Sequence, residues 1–155
     1  MAKVVIGIGS NLGDRMSNIH AAIAALRHNG LQISKVSRIY ETEPYGYIDQ
    51  PDFLNCALLG ETSLAPKPLL QRLLNIEREL FRRKRRRWGA RTIDLDIITY
   101  GDLVLRTAEL VIPHRDIANR EFVLRPVCEI APNLVHPLLG VSFCELLEVL
   151  RQRRP

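Results

Sequence analysis

The chain has 155 residues and a mass of 17.7 kDa, a common size for one domain that buries its own core. Hydrophobic residues make up 46% of the chain and charged residues 25%, which excludes a disordered protein and indicates a globular one. The first residues contain no long apolar run, and nowhere do about 18 uncharged apolar residues occur together. We therefore expect neither a signal peptide nor a membrane span.

The net charge of +5 arises from one short segment. Residues 82–91 (RRKRRRWGAR) contain seven basic residues and no acidic one, whereas the rest of the chain has 15 basic and 17 acidic residues. Such a run is typical of a solvated loop, of a nucleic-acid patch, or of a mobile loop that closes over polyphosphate. The run by itself leaves all three interpretations open.

The three cysteines, Cys56, Cys128 and Cys144, are an odd number and lack CxxC spacing. Structural zinc sites usually draw their ligands from such pairs, so we expect no zinc site. We interpret all three as reduced core thiols of a cytoplasmic protein.

The hydrophobic pattern predicts four strands and two helices in the first hundred residues, in the order β-α-β-β-α-β. Asp14 or Ser17 caps the first helix, which ends at Asn29-Gly30. The second helix opens at Pro66, and we expect the basic run to leave it as a loop. This order is typical of a ferredoxin-like α+β sandwich, one antiparallel sheet covered by two helices. The predicted strands are Lys3–Gly9, Ile33–Thr42, Phe53–Leu59 and Thr92–Tyr100.

The last third of the chain predicts a C-terminal extension of this sandwich. A short β excursion covers Leu103–Ile112, and a loop starts at Pro113. Two short helices follow, near Glu121–Ile130 and Ser142–Leu150. No repeat or Gly/Ser linker interrupts the sequence, so we interpret residues 1–155 as a single domain.

Asp94 and Asp96 are the sharpest local feature, because side chains two apart on a strand project from the same face. Two like charges about 7 Å apart repel each other, and a hard cation would compensate them. Mg²⁺ prefers one or two carboxylates together with phosphate oxygens and water. The alternatives are a solvated sheet face or an ion pair with nearby arginines. The adjacent basic run favours a phosphoryl-transfer site, since arginines bind phosphate oxygens in a bidentate manner.

The pattern Gly7-x-Gly9-x-x-x-Gly13 is one residue too long for a dinucleotide fingerprint, and we interpret it as a tight turn beside the active face. Phe53 and Asn55 share a strand face and offer a stacking plane and an amide to a flat heterocycle, or else they are a core residue and a turn partner.

Three further residues have open roles at this stage. Phe122 could supply a second stacking plane, and His114 is as consistent with a phosphate contact as with a structural role. Glu77 interrupts the apolar side of the second helix, where it either pairs with an arginine or supports a metal site.

Five segments resemble the 6-hydroxymethyl-7,8-dihydropterin pyrophosphokinase family of folate biosynthesis. They occur in the family's order over nearly the whole chain, and the RTIDLDI and PH…NREFVL…EIAP stretches are specific to that family. The segments are Ile8–Gly13, Glu41–Gly46, Gln50–Asn55, Arg87–Ile97 and Pro113–Glu129.

The resemblance implies that pyrophosphate passes from ATP to the hydroxymethyl group of the dihydropterin and that AMP is released. It implies two Mg²⁺ ions bound by Asp94 and Asp96, with catalytic arginines at Arg82, Arg83 and Arg91. Which arginine of residues 82–87 contacts phosphate stays open. The implied pterin pocket consists of Thr42, Pro44, Tyr45, Phe53, Asn55, Trp88 and Phe122. The implied ATP contacts are Glu77, Arg87, Arg91, Leu110, Ile112, His114, Arg115 and Arg120.

The main alternative is a small RNA-binding module, since such modules share the β-α-β-β-α-β order. That function predicts an aromatic-rich R-G-F-x-F-V segment on the third strand, where this chain has FLNCALL. It would also place two aspartates opposite the RNA phosphates. We therefore expect a cytoplasmic monomer whose partners are ATP and the dihydropterin, and neither nucleic acid nor membrane.

Overall fold

The computed structural model describes residues 1–42, 52–84 and 93–153, with residues 81–84 described by their backbone. The described chain forms an antiparallel sheet in the order β2-β4-β1-β5, with β3 paired to β4 beside β2. This is the strand order of a ferredoxin-like sandwich, so the predicted α+β class is confirmed. The strands are β1 (Ala2–Ser10), β2 (Gln32–Val36), β3 (Tyr40–Thr42), β4 (Phe53–Thr62) and β5 (Asp94–Tyr100). The helices are α1 (Arg15–His28), α2 (Pro66–Lys84), α3 (Glu121–Ile130) and α4 (Phe143–Gln152), and a small hairpin joins β6 (Leu105–Arg106) to β7 (Val111–Ile112).

The first face of the sheet is covered by α1 and α2, as the sequence predicts. Alternate residues of β1, β4 and β5 point into one apolar cluster with the buried stripes of both helices. Asp14 is the residue that caps α1, because its carboxylate accepts a hydrogen bond from the Ser17 backbone N–H at 3.1 Å.

The second face is also covered, which the two-layer expectation missed. Val5, Ala57 and Ile98 project from this face and pack against a second apolar cluster that includes Leu124 and Phe143 of α3 and α4. The C-terminal extension is therefore a third layer over one end of the sheet. The other end, which carries Asp94 and Asp96, lies beyond this cluster.

The predicted strand Ile33–Thr42 is wrong in one respect, because it is two strands. Val36 pairs with Leu58, and Tyr40 pairs with Asn55. The chain therefore advances four residues between these pairs on the β2–β3 side but only three on β4. Ser37 accommodates the extra residue, since its hydroxyl accepts a hydrogen bond from the Ala57 N–H at 2.9 Å. The break is therefore a bulge-like irregularity.

The second helix is longer than predicted, because Arg82, Arg83 and Lys84 still belong to α2. Arginine and lysine are good helix formers, and no glycine or proline interrupts the segment before residue 85. The rest of the basic run, residues 85–91, lies outside the described residues.

The prediction of three reduced thiols is wrong for two of them. Cys128 of α3 and Cys144 of α4 form a disulfide, with Cα atoms 5.0 Å apart. Their separation of 16 residues carries no local signal, and the packing of the two helices brings them together. Cys56 is a buried free thiol as expected, and burial raises its pKa to about 12.

Candidate active site

Asp94 and Asp96 lie side by side on β5, on the face opposite the buried Leu95 and Ile97. Both side chains are half-buried. On the neighbouring strand, Gly9 pairs with Asp94, and Gly7 pairs with Asp96. The two carboxylates therefore lie beside a stretch of β1 that carries no side chains on this face, since the side chain of Ile8 points into the core on the other face. We call the backbone of Gly7 and Gly9 on this face the glycine floor.

Gly7 and Gly9 lie within a strand, where their backbone forms the surface beside the two carboxylates. Their interpretation as part of a tight turn is therefore wrong. Both belong to β1 and pair with β4 as well as with β5. The turn lies further along, at Gly13, whose φ of +70° is a conformation that glycine adopts without strain. Of the three glycines in the pattern, Gly7 and Gly9 thus belong to the strand, and Gly13 alone belongs to the turn that follows it.

Asn55 and Phe53 line the opposite side of the floor, and they share a face as predicted. Asn55 pairs with Gly9 across β1 and β4, so Asp94, Gly9 and Asn55 form one cross-strand row. A Cβ atom at Gly9 would lie 3.0 Å from Asn55 Oδ1 and 3.7 Å from a ring carbon of Phe53. The Asn55 amide donates to Thr42 Oγ1 at 2.9 Å, which fixes the orientation of the amide plane.

His114 brings a second segment to the same end of the sheet. Its backbone N–H donates to the Ile98 carbonyl at 3.0 Å, directly after a cis Ile112–Pro113 peptide. Burial lowers the pKa of His114, the Arg120 guanidinium lowers it further, and Asp116 and Asp94 oppose this effect. His114 Nδ1 is buried and has no hydrogen-bond partner among the described residues. A largely neutral imidazole therefore lies within electrostatic range of Asp94.

Arg120 extends this segment toward the aromatic residues of the site. Its guanidinium lies 3.5 Å from an Asp116 oxygen and 5.8 Å from the ring centre of Phe122. Arg115 is exposed on the same loop. The loop thus carries two cations in the segment that contains His114, and one of them lies beside the Phe122 ring at the start of α3.

Glu77 supports β5 from its open edge. Its Oε2 accepts a hydrogen bond at 2.8 Å from the backbone N–H of Leu95, the residue between the two aspartates. Among the described strands β5 is the last of the sheet, so the Leu95 N–H binds Glu77 and not a further strand. The sequence left open whether Glu77 pairs with an arginine or supports a metal site, and the observed contact steadies the strand that carries both aspartates.

A cavity of about 410 Å³ opens beside His114, between the β6–β7 hairpin and the loop before α4. Ile112, His114 and Arg115 contribute to its wall, together with Arg106 and Leu138. Leu110 is buried in the core under the hairpin and does not line the cavity. The cavity combines an apolar surface with cationic groups.

Several predicted site residues cannot be placed. Pro44, Tyr45, Arg87, Trp88 and Arg91 lie outside the described residues, and Arg82 and Arg83 are known here only as part of α2. Strand pairing and hydrogen bonds bring together Thr42, Phe53, Asn55, Asp94 and Asp96, with Glu77 behind the strand. His114 lies within electrostatic range of Asp94 and Arg120, and Phe122 lies next to Arg120.

Sequence reasoning missed residues that hold the edges of the site. Arg15 donates to Glu41 Oε2 at 2.9 Å and to the Asp52 carbonyl at 2.7 Å, so it connects the ends of β3 and β4. Tyr40 of β3 donates its hydroxyl hydrogen bond to Glu129 of α3. These contacts join residues 26 to 89 positions apart, and no local pattern announces them.

The donor set fits Mg²⁺. Within the described residues no group of three or more His, Cys, Asp and Glu side chains forms a closed metal cage. Two carboxylates on one strand face, with an open glycine floor, suit a hard cation that takes its remaining ligands from phosphate and water. Softer metals would require nitrogen or sulfur ligands.

The fold and the site together define an α+β protein with a paired-carboxylate centre suited to phosphoryl transfer. The family model described as 7,8-dihydro-6-hydroxymethylpterin-pyrophosphokinase matches residues 5–132. The chain belongs to this family.

Two relatives carry the name 2-amino-4-hydroxy-6-hydroxymethyldihydropteridine pyrophosphokinase. The protein from Aquifex aeolicus is 44% identical over 138 residues, which cover 89% of this chain and 86% of the relative. The protein from Haemophilus influenzae is 43% identical over 138 residues, which cover 88% of this chain and 86% of the relative. The family is thus shared over most of the length of both proteins.

Solved structures confirm the fold. The wild-type Plasmodium falciparum HPPK-DHPS structure matches with a TM-score of 0.79 at 15% identity, over 98% of this chain and 45% of the other. The chain thus spans less than half of that longer protein. None of the helices in the described part of the chain combines the length and the apolar character needed to cross a bilayer.

The comparisons give no support to the RNA-binding alternative. The packing argues against it as well, since RNA-recognition modules bind bases on an exposed sheet face with stacking aromatics. Here α3 and α4 cover part of that face, and Asp94 and Asp96 lie on the remainder.

Proposed function

We propose that the chain transfers pyrophosphate from ATP to the hydroxymethyl group of 6-hydroxymethyl-7,8-dihydropterin, releasing AMP, as a step of folate biosynthesis. The observation that carries this proposal is the cross-strand row Asp94–Gly9–Asn55. It offers a metal-binding carboxylate and a heterocycle-binding amide on either side of a bare glycine floor, which matches a substrate with phosphate at one end and a flat ring at the other.

The dihydropterin occupies the Asn55 side. Asn55 turns one amide hydrogen to Thr42, which leaves Oδ1 and the second N–H for the donor and acceptor groups of the ring edge. Phe53 and Phe122 provide stacking planes. Pro44, Tyr45 and Trp88 complete the pocket by family resemblance.

The phosphates occupy the Asp94 side. Asp94 and Asp96 hold two Mg²⁺ ions, which supply positive charge that polarises the phosphoryl oxygens. His114 and Arg120 bind phosphate oxygens from the loop before α3. By family resemblance, arginines among Arg82, Arg83, Arg87 and Arg91 neutralise the charge that develops during transfer, and Trp88 contributes to substrate binding.

The transfer is an in-line substitution at the β-phosphorus. The hydroxymethyl oxygen forms a bond to this phosphorus, the bond to the oxygen bridging the α-phosphorus breaks, and AMP leaves with that oxygen. The hydroxyl proton passes to a carboxylate or to solvent. The residues of this chain contribute orientation and electrostatic stabilisation.

The nucleotide base lies beside the β6–β7 hairpin. Ile112 and Arg115 line the adjoining cavity, which is large enough for a base and ribose. Leu110 is placed next to the adenine by family resemblance alone, since its side chain is buried in the core under the hairpin. Glu77 acts on this half of the site by holding Leu95 between the two metal-binding residues.

We extend the proposal to the state of the protein. Residues 1–155 form a single domain, which acts as a monomer in the cytoplasm without nucleic-acid or membrane partners. Light scattering of the purified chain tests the monomer.

Product analysis with ATP, Mg²⁺ and the reduced hydroxymethylpterin tests the activity. We expect AMP and the pyrophosphorylated pterin in equal amounts. Asp96→Ala is expected to lower kcat by about a thousandfold with an unchanged circular dichroism spectrum, because a metal-binding carboxylate is lost. Asp102→Ala, which removes an exposed aspartate in the turn after β5, serves as the matched control and keeps wild-type kcat.

Two results would contradict the proposal. Formation of ADP in place of AMP would indicate transfer of a single phosphoryl group. Near-normal turnover by Asp96→Ala would remove this residue from the site.

A further inference from the structure

Glu129 of α3 gathers a set of contacts from β3 and the residues just before it. Its two carboxylate oxygens accept hydrogen bonds from the backbone N–H of Arg38 at 3.3 and 3.0 Å, and the Arg38 guanidinium lies 3.7 Å away. It also accepts the hydroxyl hydrogen bond of Tyr40. Burial, together with this hydrogen bond, raises the pKa of Tyr40, so its hydroxyl stays protonated and donates at neutral pH.

Besides the ion pair between Arg15 and Glu41, the strand that Glu129 contacts is held by little backbone pairing. β3 has three residues, and among the described strands it pairs with β4 alone. It nevertheless carries Thr42, which orients the Asn55 amide at 2.9 Å. A shift of β3 would therefore rotate the group that we assign to the edge of the dihydropterin.

The same helix face carries the aromatic residue of the opposite wall. Phe122, Arg125 and Glu129 are spaced i, i+3 and i+7, so they lie along one side of α3. The Arg125 guanidinium covers the Tyr40 ring at 4.6 Å, one turn before Glu129. These contacts orient α3 antiparallel to β3, which directs its first turn, with Phe122, toward the Thr42 end of the strand.

We propose that Glu129 is a positioning residue that sets the spacing between the two walls of the dihydropterin pocket, by fastening β3 to α3 through Tyr40 and Arg38. The inference rests on the proposed function. The sheet side of the pocket consists of Asn55, which faces the edge of the ring, and Thr42, which orients it. The helix side is the stacking plane of Phe122 at the start of α3. Glu129 itself lies two helical turns, about 10 Å, from Phe122 and acts only through these residues.

The test is steady-state kinetics with each substrate varied in turn. Glu129→Ala is expected to raise the KM for the dihydropterin about tenfold, while the KM for ATP stays within twofold, because the nucleotide groups lie on β5 and the loop before α3. Glu129→Gln retains an acceptor for the Tyr40 hydroxyl and is expected to recover most of the loss. Tyr40→Phe removes one hydroxyl group and is expected to give about a threefold rise.

A control variant separates positioning from general stability. Arg151→Ala removes the other ion pair of α3, in which Arg151 Nε lies 3.1 Å from Glu121. It is expected to leave both KM values within twofold of wild type. In the Glu129→Ala background, Tyr40→Phe is expected to add almost nothing, because the two side chains act through one contact.

Each outcome decides one question. A lower melting temperature for Glu129→Ala with both KM values unchanged would make the cluster structural only and would overturn the inference. An equal rise of both KM values would overturn it as well. If Glu129→Ala does not fold, Tyr40→Phe and Glu129→Gln decide instead, by whether the KM for the dihydropterin rises more than the KM for ATP. If the wild type releases no AMP, the proposed function fails, whereas an active wild type with unaffected variants refutes the positioning role alone.

Discussion

The side chain of His136 shows how one buried residue organises a loop. It lies between α3 and α4, where its Nδ1 accepts hydrogen bonds from the backbone N–H groups of Leu138 at 3.2 Å and Leu139 at 3.0 Å. Its ring packs against Phe143 with a centroid distance of 5.6 Å. Burial lowers the pKa of His136, and both accepted hydrogen bonds require an unprotonated Nδ1.

This environment predicts a pH dependence of folding. A histidine with a lowered pKa in the folded state contributes stability that is fully present above its unfolded pKa of about 6.5 and is lost as the pH falls toward the folded value. His136→Asn keeps an acceptor oxygen near the Nδ1 position but does not titrate. We expect the free energy of unfolding of this variant to fall less between pH 7.5 and 5.5 than that of the wild type, as measured by urea denaturation. Identical slopes for both proteins would contradict the assignment.

The individual site residues were predictable where a local rule applied. Asp94 and Asp96 share a face because strand side chains alternate, and Phe53 and Asn55 follow the same rule. Glu77 could be recognised only as an odd charge in an apolar stripe. Its partner, the Leu95 N–H, is 18 residues away and depends on how α2 packs beside β5.

Among the elements, β1 combines structural and functional demands. Its apolar residues alternate between the two cores, whereas its glycines leave room between β4 and β5. The pattern predicted the strand correctly, yet the glycines suggested a turn, because glycine in isolation signals a turn more often than a floor. Knowing what lies on both neighbouring strands was necessary to distinguish the two.

The floor predicts different effects of the same substitution at Gly9 and Gly7. A methyl group at Gly9 would lie 3.0 Å from Asn55 Oδ1, and one at Gly7 would lie 3.2 Å from the flexible end of the Ile98 side chain. We expect Gly9→Ala to raise the KM for the dihydropterin about tenfold and Gly7→Ala to raise it less than twofold. Both variants should stay within about 1 kcal/mol of wild-type stability. Equal KM values for the two variants would contradict the role of Gly9.

At the level of the whole molecule, the sheet is enclosed on two sides. The helices α1 and α2 cover the face predicted from their apolar stripes, and α3 and α4 cover one end of the other face. The end that α3 and α4 do not cover is where Asp94, Gly9 and Asn55 form their row. In the part of the chain that the structure describes, the C-terminal extension leaves this end of the face clear, and the family resemblance assigns Phe122, in the first turn of α3, to the candidate site.

The third layer predicts a thiol count. Cys128 and Cys144 join α3 to α4, and Cys56 is buried. Protein prepared without reductant is expected to show no reactive thiol when native, one after unfolding, and three after unfolding with reduction. Cys144→Ser should show two thiols after unfolding and a free energy of unfolding lower by about 3 kcal/mol, because a closed loop of this length is lost. Three thiols in unreduced, unfolded protein would show that the pair is not bonded.

Local patterns in the sequence were sufficient for the element order, most element boundaries and the shared faces of Asp94 with Asp96 and of Phe53 with Asn55, because period-two alternation, helical spacing and cap residues act between near neighbours. The packing of distant segments determined the rest. The break between β2 and β3 coincides with the hydrogen bond that Ser37 accepts from the Ala57 N–H. Glu129 accepts a hydrogen bond from Tyr40, which is 89 positions away in the sequence. Periodicity states which face of an element is apolar, but it does not state which partner covers that face. For this reason Asp94 and Asn55 were each recognisable in the sequence, whereas the glycine between them became meaningful only in the folded sheet.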